Sequence, residues 1–389
     1  MFVYLDNSAT TKPYKEVIKE TVKYMEEDFG NPSSLHRMGI ASEKGLKNAR
    51  RIVADSLGAK EDEIVFTSGG TEGDNLALFG AALGRKRLGN KIITTKIEHP
   101  AVLESCRQLV DMGYEVVSIN VDKTGIIKLS ELESAIGKDT ILISVMHVNN
   151  ETGSIQPLDE INKIRRDAEK KLGKEILLHT DAVQSYGKIP VNVKDLDVDF
   201  AVISGHKIHG PKGVGALYIR KGVHIPPMIY GGGQERSMRS GTENVTGIVG
   251  LGIAAEINHQ HMKKRQQVMH QAKNYLRDGI LRNIPDIKIN SPEDGSPSIL
   301  NVSFIGIRGE VLLHTLEQDN IYVSTGSACS SKNKKKSSHV LKAQNLSDKE
   351  IEGAIRFSFS EFNTIEEMDY VLDCLKAAVN KIRRLGSFR

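Results

Sequence analysis

The chain has 389 residues, 26% of them charged, and a formal net charge of +4. That length suggests roughly two to three structural units, and so weak a positive excess argues against nucleic acid or a membrane surface as the main partner. Three cysteines with no CxxC pair exclude a disulfide framework and a cysteine-built zinc site. Asp6 comes too early for a signal peptide, and the most apolar long stretch, Val245 to Ile257, is too short and glycine-rich to span a bilayer. A cytoplasmic protein is expected.

Tyr4 to Thr11 reads as a short extended segment, with Pro13 opening a helix that runs to about Asp28. A second helix covers Ile40 to Leu57. Strand and helix then alternate: Ile64-Val65-Phe66 leads through Gly69-Gly70 into a helix, and strands are expected at Lys91–Thr95, Tyr114–Ile119, Thr140–Met146, Glu175–His179, Phe200–Ile203 and Ala216–Ile219. Helices at Pro100–Met112, Ser130–Ile136 and Leu158–Lys171 separate several of them. Short apolar strands between amphipathic helices indicate an α/β fold with a mainly parallel sheet covered on both faces. A long helical stretch from Val245 to about Leu281 passes at its middle into a smaller α+β domain. That domain has strands near Ile287, Leu300–Phe304 and Ala354–Ser360, a helix over Gly309–Glu317, and a last helix opened by a Thr364/Glu367 capping box. The expected division is residues 13–257 for the large domain, and 1–12 with 258–389 for the small one.

In such sheets ligands bind beyond the carboxyl ends of the strands. Gly69-Gly70-Thr71 offers free backbone N–H groups and a helix dipole to an anion, although it is neither a P-loop nor a GxGxxG fingerprint. Asp181 follows the strand ending at Thr180, where a buried carboxylate needs a cationic partner; the plain alternative is a helix cap. Lys207 lies in the glycine-rich loop Ser204 to Gly215 between two strands, and alone it reads as a solvated surface lysine. Together these parts suit pyridoxal 5′-phosphate, which needs a lysine for a Schiff base, a carboxylate for the ring nitrogen and a helix start for the phosphate. His99, before Pro100, is either a helix-start residue or a group lying over the ring. His206 and His209 share a glycine-rich loop without the glutamate of a zincin, so no metal site is expected there.

Cys106 and Cys374 lie on apolar helical stripes and read as core, whereas Cys329 sits among small residues, Ser324 to Ser331, followed by lysines at 332 and 334 to 336. Arg356 alternates with Ile355 and Phe357 on a strand, facing either solvent or a substrate carboxylate.

The sequence resembles the cysteine desulfurases of the NifS/IscS-like group, fold-type-I pyridoxal phosphate enzymes of the class V aminotransferase superfamily. The motifs that carry the resemblance run nearly the length of the chain. They are Tyr4-Leu5-Asp6-Asn7, Thr67-Ser68-Gly69-Gly70-Thr71-Glu72, Glu98-His99-Pro100, Asn149-Asn150-Glu151-Thr152-Gly153, His179-Thr180-Asp181-Ala182-Val183-Gln184, the Lys207 loop, Gly232-Gly233-Gln234-Glu235 with Arg239-Ser240-Gly241-Thr242, and Gly326 to Ser331. The resemblance implies a mainly parallel seven-stranded type of sheet and a homodimer. It gives Lys207 as the cofactor lysine and general base, Asp181 on the pyridine nitrogen, Gln184 beside the ring hydroxyl, and His99 stacked on the ring and moving protons. Gly70, Thr71, Ser204 and His206 would hold the phosphate, joined by Thr242 from the other subunit. Asn7, Asn150 and Arg356 would bind the substrate, and Cys329, on a long loop of about residues 324–338, would take sulfur from L-cysteine as a persulfide and release alanine. Sulfur would pass to an acceptor protein for iron–sulfur cluster assembly or tRNA thiolation, with no resident metal, though Cys329 could share a cluster transiently with an acceptor. No membrane and no direct nucleic-acid contact are expected. Two departures stand out: Gly70 where alanine is expected, and the lysine run of 332–336, which bears on the acceptor. Competing readings are a selenocysteine lyase or related lyase, which should not depend on Cys329, and a non-catalytic nucleic-acid-binding adaptor.

Overall fold

The computed structural model describes residues 1–325 and 337–386. The chain opens with β1 (Val3–Tyr4), α1 (Lys15–Glu26) and α2 (Arg37–Leu57). It then lays down β2 (Ile64–Thr67), α3 (Gly70–Gly84), β3 (Lys91–Thr95), α4 (Pro100–Asp111), β4 (Glu115–Ile119), α5 (Leu129–Ala135) and β5 (Thr140–Ser144). The segment closes with α6 (Leu158–Leu172), β6 (Leu177–Asp181), β7 (Phe200–Ser204) and β8 (Gly215–Ile219). The seven strands β2 to β8 make one sheet in the order β2-β8-β7-β6-β5-β3-β4. Both faces are buried, which is why the strands read as near-continuous apolar runs. Ile92, Leu142, Leu177 and Phe200 pack against α3 and α4, while their neighbours Ile93, Ile143, Leu178 and Ala201 pack on the opposite face with α2 and α6.

Among these strands β8 alone is reversed, antiparallel to both β7 and β2. The reversal matters for chemistry. Thr67 and Ser204 both stand opposite Gly215, so the ends of β2 and β7 meet at one edge of the sheet. The glycine turn into α3 and the Lys207 loop therefore share that edge.

From there α7 (Val245–Asn283) runs for 39 residues as one helix. Its first half, Val245 to Ala255, belongs to the core of the large sheet, and its second half, from Met269 to Ile280, to a separate apolar core. That second core also holds β9 (Ile287–Ile289), β10 (Ile299–Phe304), α8 (Gly309–Gln318) and β11 (Ile321–Tyr322), and, after the short α9 (His339–Ala343) and α10 (Asp348–Glu352) beside it, β12 (Ala354–Ser358) and α11 (Ile365–Gly386). Strands β12-β10-β9 form an antiparallel sheet, and β1 pairs in parallel with β11, so Val3 and Leu5 are buried there, far along the chain from their neighbours. The capping box at the start of α11 forms in both directions, Thr364 N to Glu367 Oε2 and Glu367 N to Thr364 Oγ1, each 3.2 Å. Elements β11, α9 and α10, of two to five residues, go unread in the sequence because they are too short to show a period. Strand β6 begins two residues later than expected and runs two residues further, taking in Asp181 as its last member. Among the described residues no helix is long and apolar enough to cross a membrane.

Candidate active site

Asp181 ends β6 on the crevice floor, buried, with Oδ1 accepting the Val183 N–H at 2.9 Å. Burial raises its pKa, while the charges of His99 and Lys207 and the Val183 hydrogen bond act the other way. His99 caps α4, its Nδ1 accepting the Ala101 N–H at 3.2 Å, so the capping role and a place in the site coexist. Desolvation lowers the His99 pKa, with Asp181 opposing and Lys207 assisting. A neutral ring whose Nδ1 accepts carries its proton on Nε2. The sequence reading missed Asp74, one turn into α3 from Gly70 and hence on the same side of the helix. Ligating atoms of Asp74, His99 and Asp181 all lie within 4.8 Å of one another. Asp74 is fully buried, and burial, then Asp181 and Glu98, push its carboxyl well up. Asp181 accepts an N–H and faces the Lys207 charge, so of the two neighbouring acids it is the one favoured as the anion, while burial and Asp181 itself push Asp74 toward its protonated form.

Lys207 closes a short helical turn after β7. Its Nζ donates to Ser8 O at 2.5 Å and Ala9 O at 2.9 Å, and Gln184 Nε2 donates to the same Ser8 oxygen at 2.9 Å. Segment 8–11 is held against the loop by Thr11, whose N–H and Oγ1 both donate to His206 O, at 2.9 and 3.0 Å. His206 Nδ1 is 3.2 Å from Thr10 Oγ1, and burial with the Lys207 charge pulls its pKa down to about 4. The second histidine of the loop faces elsewhere: His209 Nδ1 contacts Lys12 O, and its Nε2 lies 3.4 Å from Glu361.

The glycine turn between β2 and α3 has Gly69 at φ 153°, preceding the first N–H groups of α3. Ser204 borders it: its Cβ lies 4.0 Å from where a Gly70 Cβ would stand. A Cβ at Gly70 would also meet Val183 Cγ2 at 2.9 Å, so this glycine matches the valine behind it. Thr71 is exposed. Glu72 turns back to accept Ser68 N–H at 2.9 Å and Arg239 Nε at 2.9 Å. That ion pair ties the 239–242 segment of the same chain to α3, with Thr242 exposed beyond it.

Arg356 is buried on β12 rather than facing solvent, because the 149–153 turn covers that face. Its Nη2 donates to Asp6 Oδ1 at 2.7 Å and Nη1 to Asn150 O at 3.0 Å, while Nε has no partner among the described residues. Asn149 shapes the turn by accepting the N–H groups of Glu151 and Thr152, both at 2.9 Å. Asn7 spends its amide N–H groups on Tyr4 O and Ser358 O, so its carbonyl is the end left for a ligand.

Cys329 lies outside the described residues. The flanks of its segment do not: Ser324 exchanges both backbone hydrogen bonds with Arg356, at 3.1 and 2.7 Å. On the far side Ser338 Oγ donates to Glu151 Oε2 at 2.5 Å, and His339 Nε2 contacts Glu98 O at 2.9 Å. Burial raises Glu151 to about 7, against Ser338 and Arg356. Cys106 is buried with its thiol pushed up to about 12, and Cys374 packs at the edge of the second core, as expected for structural cysteines.

A lysine, a buried aspartate in want of a cation, a neutral imidazole and a glycine-rich helix start thus converge on one crevice, and this set fits pyridoxal 5′-phosphate. At its rim a buried arginine, its Nε without a partner among the described residues, suits a carboxylate.

The model of the aminotransferase class-V family matches residues 3–371. A curated relative, cysteine desulfurase IscS of Dictyoglomus turgidum, is 44% identical over 388 residues, covering 100% of this chain and 97% of its own. A solved NifS-like protein superposes with a TM-score of 0.91 at 42% identity, covering 98% of this chain and 100% of its own. SspA, solved in complex with cysteine, gives a TM-score of 0.80 at 34% identity over 93% of this chain and all of its own. The expected fold-type-I architecture holds.

Proposed function

The chain belongs to the class-V aminotransferase family, and from that premise we propose that it is a pyridoxal phosphate-dependent cysteine desulfurase converting L-cysteine to L-alanine and a persulfide on Cys329. The observation that carries this reading is Arg356, a buried guanidinium whose Nε has no partner among the described residues, beside the Lys207 crevice and at the root of the segment bearing Cys329. Gly70, Thr71, Ser204 and His206 would hold the cofactor's phosphate and Asp181, Gln184 and His99 its ring, and the bound cofactor would supply an electron sink for the substrate α-carbon. Arg356, with Asn150 and Asn7, positions the substrate carboxylate. Lys207 Nζ takes the α-proton, and His99 Nε2 moves protons at the substrate sulfur. Cys329 Sγ attacks that sulfur as a thiolate. A new S–S bond forms as the carbon–sulfur bond breaks with its electron pair left on carbon; the β-carbon gains a proton and Lys207 Nζ returns one to the α-carbon, so that alanine departs and one extra sulfur stays on the enzyme. Cys329 follows four residues after Thr325, and the preceding Ser324 is hydrogen-bonded to Arg356 through the backbone.

We further read the protein as a cytoplasmic homodimer passing sulfur to an acceptor for iron–sulfur assembly or tRNA thiolation, with Thr242 completing the partner's phosphate site. Support for a dimer comes from exposed Ile18, Val22 and Met25 in helical register on α1, with Phe29 beyond it and Ile229 and Tyr230 also exposed. The test is alanine production from L-cysteine by Cys329→Ser. Loss of multiple turnover with retained visible cofactor absorption is expected. Full turnover in the variant would favour a lyase that needs no cysteine.

A further inference from the structure

Lys188 is a buried lysine that none of the roles above uses. It is 4% exposed, and its Nζ donates to Gln184 Oε1 at 2.7 Å. The charges acting on it are Lys207, Arg356 and Arg265, all cations, and together with burial they drive its pKa well down. Burying an amine among cations is costly, and a methionine or leucine would fill the same volume without that cost. What the amine contributes is a donor at one end of the Gln184 amide.

A glutamine amide has an acceptor at one end and two donors at the other, and a 180° flip exchanges them. Here Ser8 O accepts from Nε2 and Lys188 donates to Oε1, so both ends oppose a flip. One Nε2 hydrogen remains beyond the Ser8 bond for a ligand acceptor. Ser8 O also receives Lys207 Nζ, which joins Lys188, Gln184, Ser8 and Lys207 in one chain of hydrogen bonds. We propose that Lys188 is a positioning residue that fixes the Gln184 amide with its donor end toward the cofactor's ring oxygen, setting how readily that oxygen holds a negative charge. The inference rests on the cofactor reading above.

The test uses full-length enzyme stripped of cofactor and titrated with pyridoxal phosphate, together with the pH titration of the visible band of the reconstituted protein. In Lys188→Met the dissociation constant is expected to rise about tenfold, and the band's midpoint to move to higher pH by about half to one unit. Gln184→Ala should show the same pair of changes, and the double variant should be no worse than Gln184→Ala alone. A Lys188→Met enzyme indistinguishable from wild type, or effects that add in the double variant, would overturn the proposal. If the methionine variant does not fold, Lys188→Gln, which keeps a donor on a shorter arm, is expected to give smaller shifts in the same direction; no shift there counts against the proposal. Wild-type protein with no visible band at all would instead sink the cofactor reading.

Discussion

Arg356 Nη2 lies 2.7 Å from Asp6 Oδ1, joining β12 to the first residues of the chain across 350 positions of sequence. Asp6 fixes the guanidinium without saturating it, since Nε has no partner among the described residues. Removing a charge-assisted, bidentate-capable group costs about 2–4 kcal/mol, so Arg356→Gln should raise KM for L-cysteine roughly 30- to 1,000-fold. The cofactor spectrum should stay unchanged. Steady-state kinetics with absorption spectra on the same preparation check both halves.

Glu98 gives a pH prediction. It is buried, accepts Thr95 Oγ1 at 2.6 Å and Met146 N–H at 3.0 Å, and burial raises its carboxyl to about 8 from an ordinary 4.5. A group with a raised folded pKa contributes stability that is complete below its unfolded value and is lost as the pH climbs through the folded one. The wild-type Tm should therefore fall more steeply than that of Glu98→Gln between about pH 5 and pH 9. Parallel Tm profiles from calorimetry across that range would contradict the assignment.

Gly70 and Val183 form a matched pair. Gly70→Ala should press on Val183 and weaken cofactor binding by about 1–2 kcal/mol, roughly 5- to 30-fold. Gly70→Ala with Val183→Ala should recover most of the loss, because the contacted methyl is gone. Cofactor titration of both variants measures it.

Glu361 binds elements that are distant in sequence. It accepts Tyr14 OH at 2.5 Å and Arg265 Nε at 2.9 Å, with His209 Nε2 at 3.4 Å. Despite burial, His209 and Arg265 hold its carboxyl far below the usual range. This contribution is present above the ordinary carboxylate pKa and fades as the pH falls toward the depressed value. Glu361→Gln should cost about 3 kcal/mol at neutral pH and less in acid, as read by urea unfolding at the two pH values.

Much of this was legible in the sequence because the local signals are strong. Strand β3 at Lys91–Thr95 and the glycine turn before α3 lie where the pattern places them. The strand-end rule then selected Asp181, His99 and Lys207 for one crevice. What escaped depends on pairing at long range. Nothing local marks β8 as the reversed strand that brings Ser204 beside Thr67, nor Ser8 O as the shared acceptor of Lys207 and Gln184. Alternation alone left Arg356 open between solvent and site, and the 149–153 turn decides it. Lys188 follows a glycine without apolar periodicity, so its burial shows only once Gln184 is placed.

In the proposed reaction Cys329 receives the sulfur. The most direct measurement is mass spectrometry of the peptides after one turnover of cofactor-loaded enzyme with L-cysteine under non-reducing conditions. One added sulfur atom is expected on the Cys329 peptide, in step with alanine formed, and none on the peptides of Cys106 or Cys374. Stoichiometric alanine with an unmodified Cys329 peptide would contradict it.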